Sequence, residues 1–269
     1  MAVSVCVAGA TGWAGRAVAE AVLAAEDLGL RSAVSRSAAG QDLGQAWGGE
    51  PVGVPVFGEV AADALAGVDV LVEFTSHQSA RANTLAALGQ GVAVVIGASG
   101  LTSEDFAAID TAARAAGVGV IAAGNFSLTA ALALASATLA ARYLPSWEII
   151  DYASAAKPDA PSGTARELAE RLAGVRRPEV EVPIARTGGP VEARGATVAG
   201  TQIHSVRLPS FVVSTEIVFG LPDERLVIRH DAGGTPTPYL AGTLLALRAV
   251  ISRTGLLRGL DTLLLDTAR

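Results

Sequence analysis

Hydrophobic residues recur along this chain in two rhythms. Over 3–8 they form a short, valine-rich run that meets Gly9-Ala10-Thr11-Gly12-Trp13-Ala14-Gly15, and an alanine-rich stretch over 16–25 follows. Apolar run, glycine turn and alanine-rich segment predict a strand, a tight turn and a helix. Further strands are predicted over 30–35, 68–74, 93–96 and 118–122, with helices over 80–88 and 103–116 between them. Strands that alternate with helices specify a parallel, doubly wound sheet, so the first fold class is α/β and Rossmann-like.

The rhythm changes after Asn125. A long apolar helix is predicted over 128–143, then a strand over 147–152, a loop over 157–163 and a helix over 164–172. Three strand-like segments over 201–208, 211–219 and 225–230 follow one another across short turns, the pattern of antiparallel pairing. The second half is therefore expected to be an α+β domain on a mostly antiparallel sheet, with a last helix over 240–251.

Composition narrows the setting. Hydrophobic residues make up 51% of the chain, yet Gly, Asp or Ser breaks each apolar run before the ~18 residues a membrane span needs. No transmembrane segment is expected. Met1 leads into the first strand without a charged leader, and Cys6 is the only cysteine. Together these fit a reducing cytoplasm and leave no disulfide or cysteine-built metal site within one chain. A net charge of −6 with no basic block argues against nucleic acid as a partner, so basic residues are expected to serve small anions. Lys157 is the one lysine among 20 basic residues, the rest being arginine. Such a position marks a need for a compact ammonium, or else a chance survivor on a solvated face.

The glycine turn has a strand before it and a helix after it, the context a dinucleotide requires. Gly9, Gly12 and Gly15 allow the turn, the approach of a pyrophosphate and the packing of helix on strand, with Ala10, Thr11 and Trp13 completing the loop; a purely structural turn is the alternative. At the end of the second strand, where an acid would grip the ribose of NAD, stands Ser35-Arg36-Ser37. Without a carboxylate to repel it, a 2′-phosphate can pair with Arg36, which favours NADPH and leaves NADH possible. Three more clusters end strands of the same sheet: Glu73-Phe74-Thr75, Gly97-Ala98-Ser99-Gly100 and Gly124-Asn125-Phe126-Ser127. Ligands of open α/β sheets lie at such ends. The run Lys157-Pro158-Asp159-Ala160-Pro161-Ser162-Gly163-Thr164 starts a helix with hydroxyls, free N–H groups and a cation, a set able to hold a carboxylate; a plain helix cap is the alternative.

These strings, together with Ile203-His204-Ser205-Val206-Arg207, resemble in order and spacing the dihydrodipicolinate reductase family of lysine and diaminopimelate synthesis, from Val3 to about Leu264. The resemblance implies an NAD(P)H-dependent reductase acting on a C=N bond or conjugated imine in a small carboxylated substrate. It implies that the glycine turn and the strand-end loops, with Phe74, Thr75, Gly97, Ser99, Gly100, Asn125 and Phe126, hold the cofactor. Lys157 and Ser162-Gly163-Thr164 would hold a cyclic dicarboxylate. The last helix would return to the first domain, giving 1–124 with 232–269 for the dinucleotide and 125–231 for substrate and oligomerisation, and the second-domain sheets would pair in a homotetramer.

The chain departs from the family at the acid. A His-His pair stands four and three residues before the family's lysine, where this chain has Ala153 and Ser154. Leu208-Pro209-Ser210 replaces a Gly-Asp, Ser214 or Thr215 a histidine, and Trp13 the basic residue of the glycine turn. His204 and His230 lie in strands and are expected to be structural, while His77 is the histidine best placed to meet a ligand. Glu73 and Lys157 are left as candidate catalytic groups, Glu73 as a carboxylate beside an iminium. An iminium-forming substrate is expected to turn over better than the conjugated lysine-pathway ring, which needs a carbon acid. An orthodox lysine-pathway reductase with a relocated acid and a catalytically silent NADPH-binding module are the alternatives.

Overall fold

The computed structural model describes residues 2–98 and 100–267, the side chains of His77 and Thr267 excepted. In chain order the strands and helices are β1 (Val3–Ala8), α1 (Trp13–Leu23), β2 (Leu28–Val34), α2 (Leu43–Ala46), β3 (Val56–Phe57), β4 (Val70–Glu73), α3 (His77–Gly89), β5 (Ala93–Ile96), α4 (Ser103–Ala116) and β6 (Gly119–Ala122). They continue with α5 (Leu128–Ala140), β7 (Ser146–Ala153), α6 (Gly163–Ala173), β8 (Ala196–Val198), β9 (Thr201–Arg207), β10 (Val213–Leu221), β11 (Glu224–Ala232), α7 (Leu240–Val250), β12 (Gly255–Arg258) and α8 (Leu260–Thr267). Two compact units result: residues up to Leu128 with those from Pro236 on, and Thr129–Thr235. The divisions fall a few residues beyond those expected at 125 and 231.

In the first unit seven strands, all parallel, lie in the order β12-β6-β5-β4-β1-β2-β3. Residues of β4, β5 and β6 are buried throughout, as a parallel sheet covered on both faces demands. Leu71, Val94 and Val120 pack there with Leu88 of α3 and Ile109 of α4. Helix α4 starts on a Thr102/Asp105 capping box and stops at Gly117 in the left-handed region, signals that its sequence carries openly. Chain order reverses between β1 and β4, which opens a crevice beyond their carboxyl ends.

Two glycines make that crevice possible. Gly9 has φ +84°, and a β-carbon there would lie 2.5 Å from the Phe74 carbonyl oxygen, so the turn after β1 and the turn after β4 touch through backbone. A β-carbon on Gly15 would overlap the Gly9 carbonyl, which holds α1 tight to the turn.

The second unit carries a five-stranded sheet in the order β11-β10-β7-β9-β8. It is antiparallel except for β7 and β9, which run parallel because α6 and a long irregular segment carry the chain across between them. Along β7 burial alternates strictly, turning Trp147, Ile149, Asp151 and Ala153 to one face. Ala137 of α5, Ala141 just after it, and Ala165, Leu168 and Leu172 of α6 cover that face.

Short strands escaped the sequence pattern. β3 and β8 have two and three residues, below the length at which periodicity separates strand from loop, and these two, with the four-residue β12, are defined by pairing to a neighbour. Among the described residues no helix is long and apolar enough to cross a membrane.

The Gly15 contact makes a stability prediction. Gly15→Ala should cost about 1–3 kcal/mol, lowering the melting temperature by roughly 2–4 °C per kcal/mol. Gly89→Ala, where a β-carbon meets nothing within 4 Å, should leave it unchanged or slightly raised. Equal melting of the two variants in a thermal scan would contradict the packing role of Gly15.

Candidate active site

At the carboxyl end of β1 the first turn of α1 faces the crevice without a cap. Gly12 is its N-cap residue and offers no side chain, while the Gly12 N–H closes the turn on the Gly9 carbonyl at 2.9 Å. Unused amide groups at a helix start form a site for a phosphate. The cradle that β-carbons on Gly9 and Gly15 would fill, with this uncapped start, fits a dinucleotide.

Neighbouring side chains shape the edge of that cradle. The Trp47 indole donates to the Ala10 carbonyl at 3.0 Å, and the Arg16 guanidinium lies over the Trp47 ring, 5.3 Å from its centroid. Trp47 stands there because Asp42 accepts from the amides of Gly44, Val52, Gly53 and Val54 at 2.8–3.0 Å, which ties the loop after β2 into one piece. Neither Asp42 nor Trp47 was legible as a site residue, since the loop that joins them has no periodic pattern. Trp13 is 59% exposed and meets Tyr239 edge to face, with centroids 5.9 Å apart. At the end of β2, Thr11, Ser35 and Ser37 form a chain of hydroxyls at 2.7 and 3.2 Å. Arg36 beside them is exposed and forms no ion pair among the described residues.

Three candidate residues of the first unit are buried. Glu73 is 0% exposed: one oxygen accepts from the Thr75 amide and hydroxyl, and the other accepts from Asn83 at 2.8 Å. Burial pushes its carboxyl up, against the hydrogen bonds of Thr75 and Asn83. It is a clamp on the Phe74-Thr75 turn. Phe126 is also buried, its ring against Phe74 with centroids 5.9 Å apart, so it supports the turn and offers no open surface. Ala10 is buried and takes part through its carbonyl. Phe74 packs its ring where a β-carbon of Gly97 would stand, which explains the glycine there. Gly100 lies in the left-handed region and Asn125 accepts from the Ser127 amide at 2.8 Å, each shaping a strand-end turn. Ser99 lies outside the described residues. Cys6 is buried in β1, and burial pushes its thiol up to about 11, which keeps it unreactive.

In the second unit the 157–164 loop is pinned from beneath. Asp151, 2% exposed on the inner face of β7, accepts from the Ser162 amide at 2.8 Å and the Ser162 hydroxyl at 2.7 Å. Ser162 Oγ in turn accepts from the Ala165 amide at 3.2 Å. The Ser162 hydroxyl, expected to meet substrate, is thus engaged inside the protein as cap and anchor. Gly163 and Thr164 remain at the exposed first turn of α6, and Lys157 Nζ pairs with Asp159 at 2.9 Å. Asp151 is itself paired with Arg207, whose Nη2 donates to it at 2.8 Å and to the Asp159 carbonyl at 2.7 Å. Burial opposes ionisation of Asp151, but hydrogen bonds from Ser162 and Arg207 and the guanidinium charge outweigh it and hold the carboxyl below its usual range. The sequence held one signal for this residue: an acid in phase with Trp147, Ile149 and Ala153 must find a partner.

No acid occupies the place of the family's histidines. Ala153 is buried, and the Ser154 hydroxyl accepts from the Ala156 amide at 3.3 Å. His204 pairs with Glu148 at 2.6 Å and His230 meets the Thr129 hydroxyl at 3.1 Å, on opposite faces of the sheet. The side chain of His77 lies outside the description. No group of His, Cys, Asp and Glu able to hold a metal occurs among the described residues.

The parallel sheet and its glycine cradle define a dinucleotide-binding protein. The N-terminal pattern of dihydrodipicolinate reductase matches residues 3–126 and the C-terminal pattern residues 126–264, so the chain belongs to the dihydrodipicolinate reductase family. It is 40% identical to a 4-hydroxy-tetrahydrodipicolinate reductase of Moorella thermoacetica, over 97% of this chain and 98% of that one. A reductase of the same name from Streptococcus pneumoniae is 38% identical, over 98% and 100% of the two chains. A dipicolinate-bound dihydrodipicolinate reductase from Paenisporosarcina superposes with a TM-score of 0.85 at 30% identity, covering 97% of this chain and 99% of that one. An amine dehydrogenase of Mycobacterium smegmatis, at 16% identity and a TM-score of 0.65, shares the fold. These relatives favour an enzyme over a silent nucleotide-binding module.

The Asp151 environment makes a pH prediction. A carboxyl whose folded pKa is depressed adds stability above its unfolded value, near 3.9, and loses it as pH falls through the folded value. Asp151→Asn should cost about 3–5 kcal/mol at pH 7, because it leaves Arg207 without its counter-charge. The variant should also show a shallower fall in stability between pH 5 and pH 3. Urea unfolding at several pH values tests both, and parallel pH profiles for the two proteins would contradict the assignment.

Proposed function

We propose that this protein is an NADPH-dependent reductase of the C=N bond in a small cyclic carboxylated substrate, 4-hydroxy-tetrahydrodipicolinate or a close analogue. The observation that carries the reading is the 157–164 loop, which joins Lys157 to the exposed Gly163-Thr164 turn and is held by a buried anchor. The names of the full-length relatives supply the substrate class. A bound nicotinamide nucleotide supplies the hydride. The uncapped start of α1 receives its pyrophosphate and Arg36 the 2′-phosphate, with NADH the weaker ligand. Thr75, Gly97, Gly100 and Asn125 shape the turns that border the cofactor.

Lys157 and the Gly163 and Thr164 amides hold a substrate carboxylate. No side chain at 153 or 154 delivers a proton, so the nitrogen is best supplied already protonated, as an iminium. With Glu73 buried, the counter-charge to that iminium comes from the substrate's own carboxylate. Identity of 36–40% to 4-hydroxy-tetrahydrodipicolinate reductases over nearly the whole chain supports a second reading, in which the lysine-pathway substrate is turned over with a proton from elsewhere. A homotetramer in the cytoplasm is the state the family resemblance implies, and the exposed Leu221, Leu226 and Val227 of β10 and β11 offer apolar surface for pairing.

Arg36→Ala should weaken NADPH binding by about 1.5–3 kcal/mol, tenfold or more, and leave NADH binding alone. Isothermal titration decides it, and equal losses for both cofactors would remove Arg36 from the 2′-phosphate.

Steady-state assays separate the two readings. An iminium-forming cyclic substrate should turn over faster than 4-hydroxy-tetrahydrodipicolinate, and the double change Ala153→His with Ser154→His should raise the latter rate by roughly 10² to 10⁴. Unmodified protein working on the lysine-pathway substrate at roughly 1 to 10³ s⁻¹ would establish the second reading.

A further inference from the structure

Asp151 and Arg207 touch the anion-binding loop at both ends. Asp151 takes the amide and hydroxyl of Ser162 at the start of α6, and Arg207 takes the Asp159 carbonyl, 2.7 Å from Nη2, on the near side of the same loop. The other guanidinium nitrogen donates to the Asp151 and Val206 carbonyls at 3.1 and 2.9 Å, so the fork is fixed to both β7 and β9. Ser205, opposite Asp151 in the register of β7 and β9, adds its hydroxyl at 3.2 Å. Arg207 is only 17% exposed, and its Nε is buried without a partner, an arrangement kept in spite of its cost.

We infer that Asp151 and Arg207 are a positioning pair that aims the first turn of α6 at the substrate carboxylate and keeps the floor beneath it electrically neutral. The inference rests on the proposed role of Lys157 and Gly163-Thr164 as the carboxylate site. Two physical steps lead to it. Because Ser162 gives its amide and hydroxyl to Asp151, the amides left for a ligand are those of Gly163 and Thr164, and their direction follows the Asp151 anchor. A carboxylate directly under a helix start would also cancel the attraction of that start for anions, and it would repel an incoming dicarboxylate. Arg207 removes this penalty. Neither residue needs to touch the substrate.

The groups facing Asp151 are Arg207 and Ser205 from β9, Ser162 from α6 and, opposite in register on β10, Thr215, with His230 beyond it on β11. Lys157 and Arg166 are turned to Asp159 in the loop above. Without Arg207, burial governs Asp151 and raises its proton affinity. Wherever Asp151 then stays ionised, its uncompensated charge should weaken anion binding.

The test is isothermal titration of dipicolinate into the full-length protein saturated with NADPH, at pH 6 and pH 8. Arg207→Gln should weaken dipicolinate at least tenfold at pH 8 and less at pH 6, with NADPH affinity within twofold of the unmodified protein. The double variant Asp151→Asn with Arg207→Gln removes both charges and should bind dipicolinate more tightly than Arg207→Gln at pH 8, without the pH dependence. Dipicolinate affinity unchanged in Arg207→Gln, or a double variant no better than the single one, overturns the inference. Should Arg207→Gln not fold, Arg207→Lys carries the test. A several-fold loss of dipicolinate affinity with NADPH unaffected then supports the pair, and no loss overturns it. Lys157→Ala distinguishes the underlying reading: if that change leaves dipicolinate binding untouched, the carboxylate site itself is wrong and the inference goes with it. If Lys157→Ala weakens binding while Arg207 variants do not, only the positioning role fails.

Discussion

A carboxylate on the covered face of β7 cannot remain there alone, and the second unit is arranged around its neutralisation. Burial of Asp151 demands a cation and several donors, and the parallel pairing of β7 with β9 is what brings Arg207 and Ser205 alongside. The remaining capacity of the carboxylate is met by Ser162, which thereby starts α6 at a defined place. Arg207 reaches onward to the Asp159 carbonyl, so the loop between is held at both ends by one ion pair. Gly163 and Thr164 stay exposed at the start of α6, while the loop's buried Ser162 is already satisfied.

The first unit reaches the same end by steric means. Its turns after β1, β4 and β5 touch one another where side chains are missing, at Gly9 against the Phe74 carbonyl and at Gly97 beneath the Phe74 ring. Glu73 adds a polar lock by holding Thr75 and Asn83. A buried acid thus stands behind a turn in each unit, and in each the carboxyl group is held by the protein itself. Only Asp151 has a cation; Glu73 has hydroxyl and amide donors, and the two carboxyls shift in opposite directions for that reason.

The strings that carry the family resemblance form turns at the strand ends and one anchored loop. The glycine turn, the strand-end turns and the lysine loop stand in their places, while Ala153 is closed into the core and Ser154 is turned to its own backbone. A methyl at position 153 on the inner face of β7 keeps the strict alternation of burial along the strand.

The sequence by itself determined the alternation of strands and helices up to residue 122, the glycine turn, and the change of architecture after it, because 2- and 3.6-residue periodicities and turn glycines are local properties of the chain. It also pointed to the 157–164 loop and, through family resemblance, to its chemistry. The roles of individual side chains were decided elsewhere. Glu73 and Ser162 looked available because a motif shows which residues are present but not which way they turn. Asp42 and Trp47 went unread because their partners lie up to 37 residues away. Strands β3, β8 and β12 exist only as neighbours of other strands. Arg207 stood in a recognised string without a role until the parallel register of β7 and β9 set it beside an acid 56 residues earlier in the chain. Local pattern follows from the order of residues, whereas the satisfaction of a buried charge depends on which distant strand the fold brings alongside.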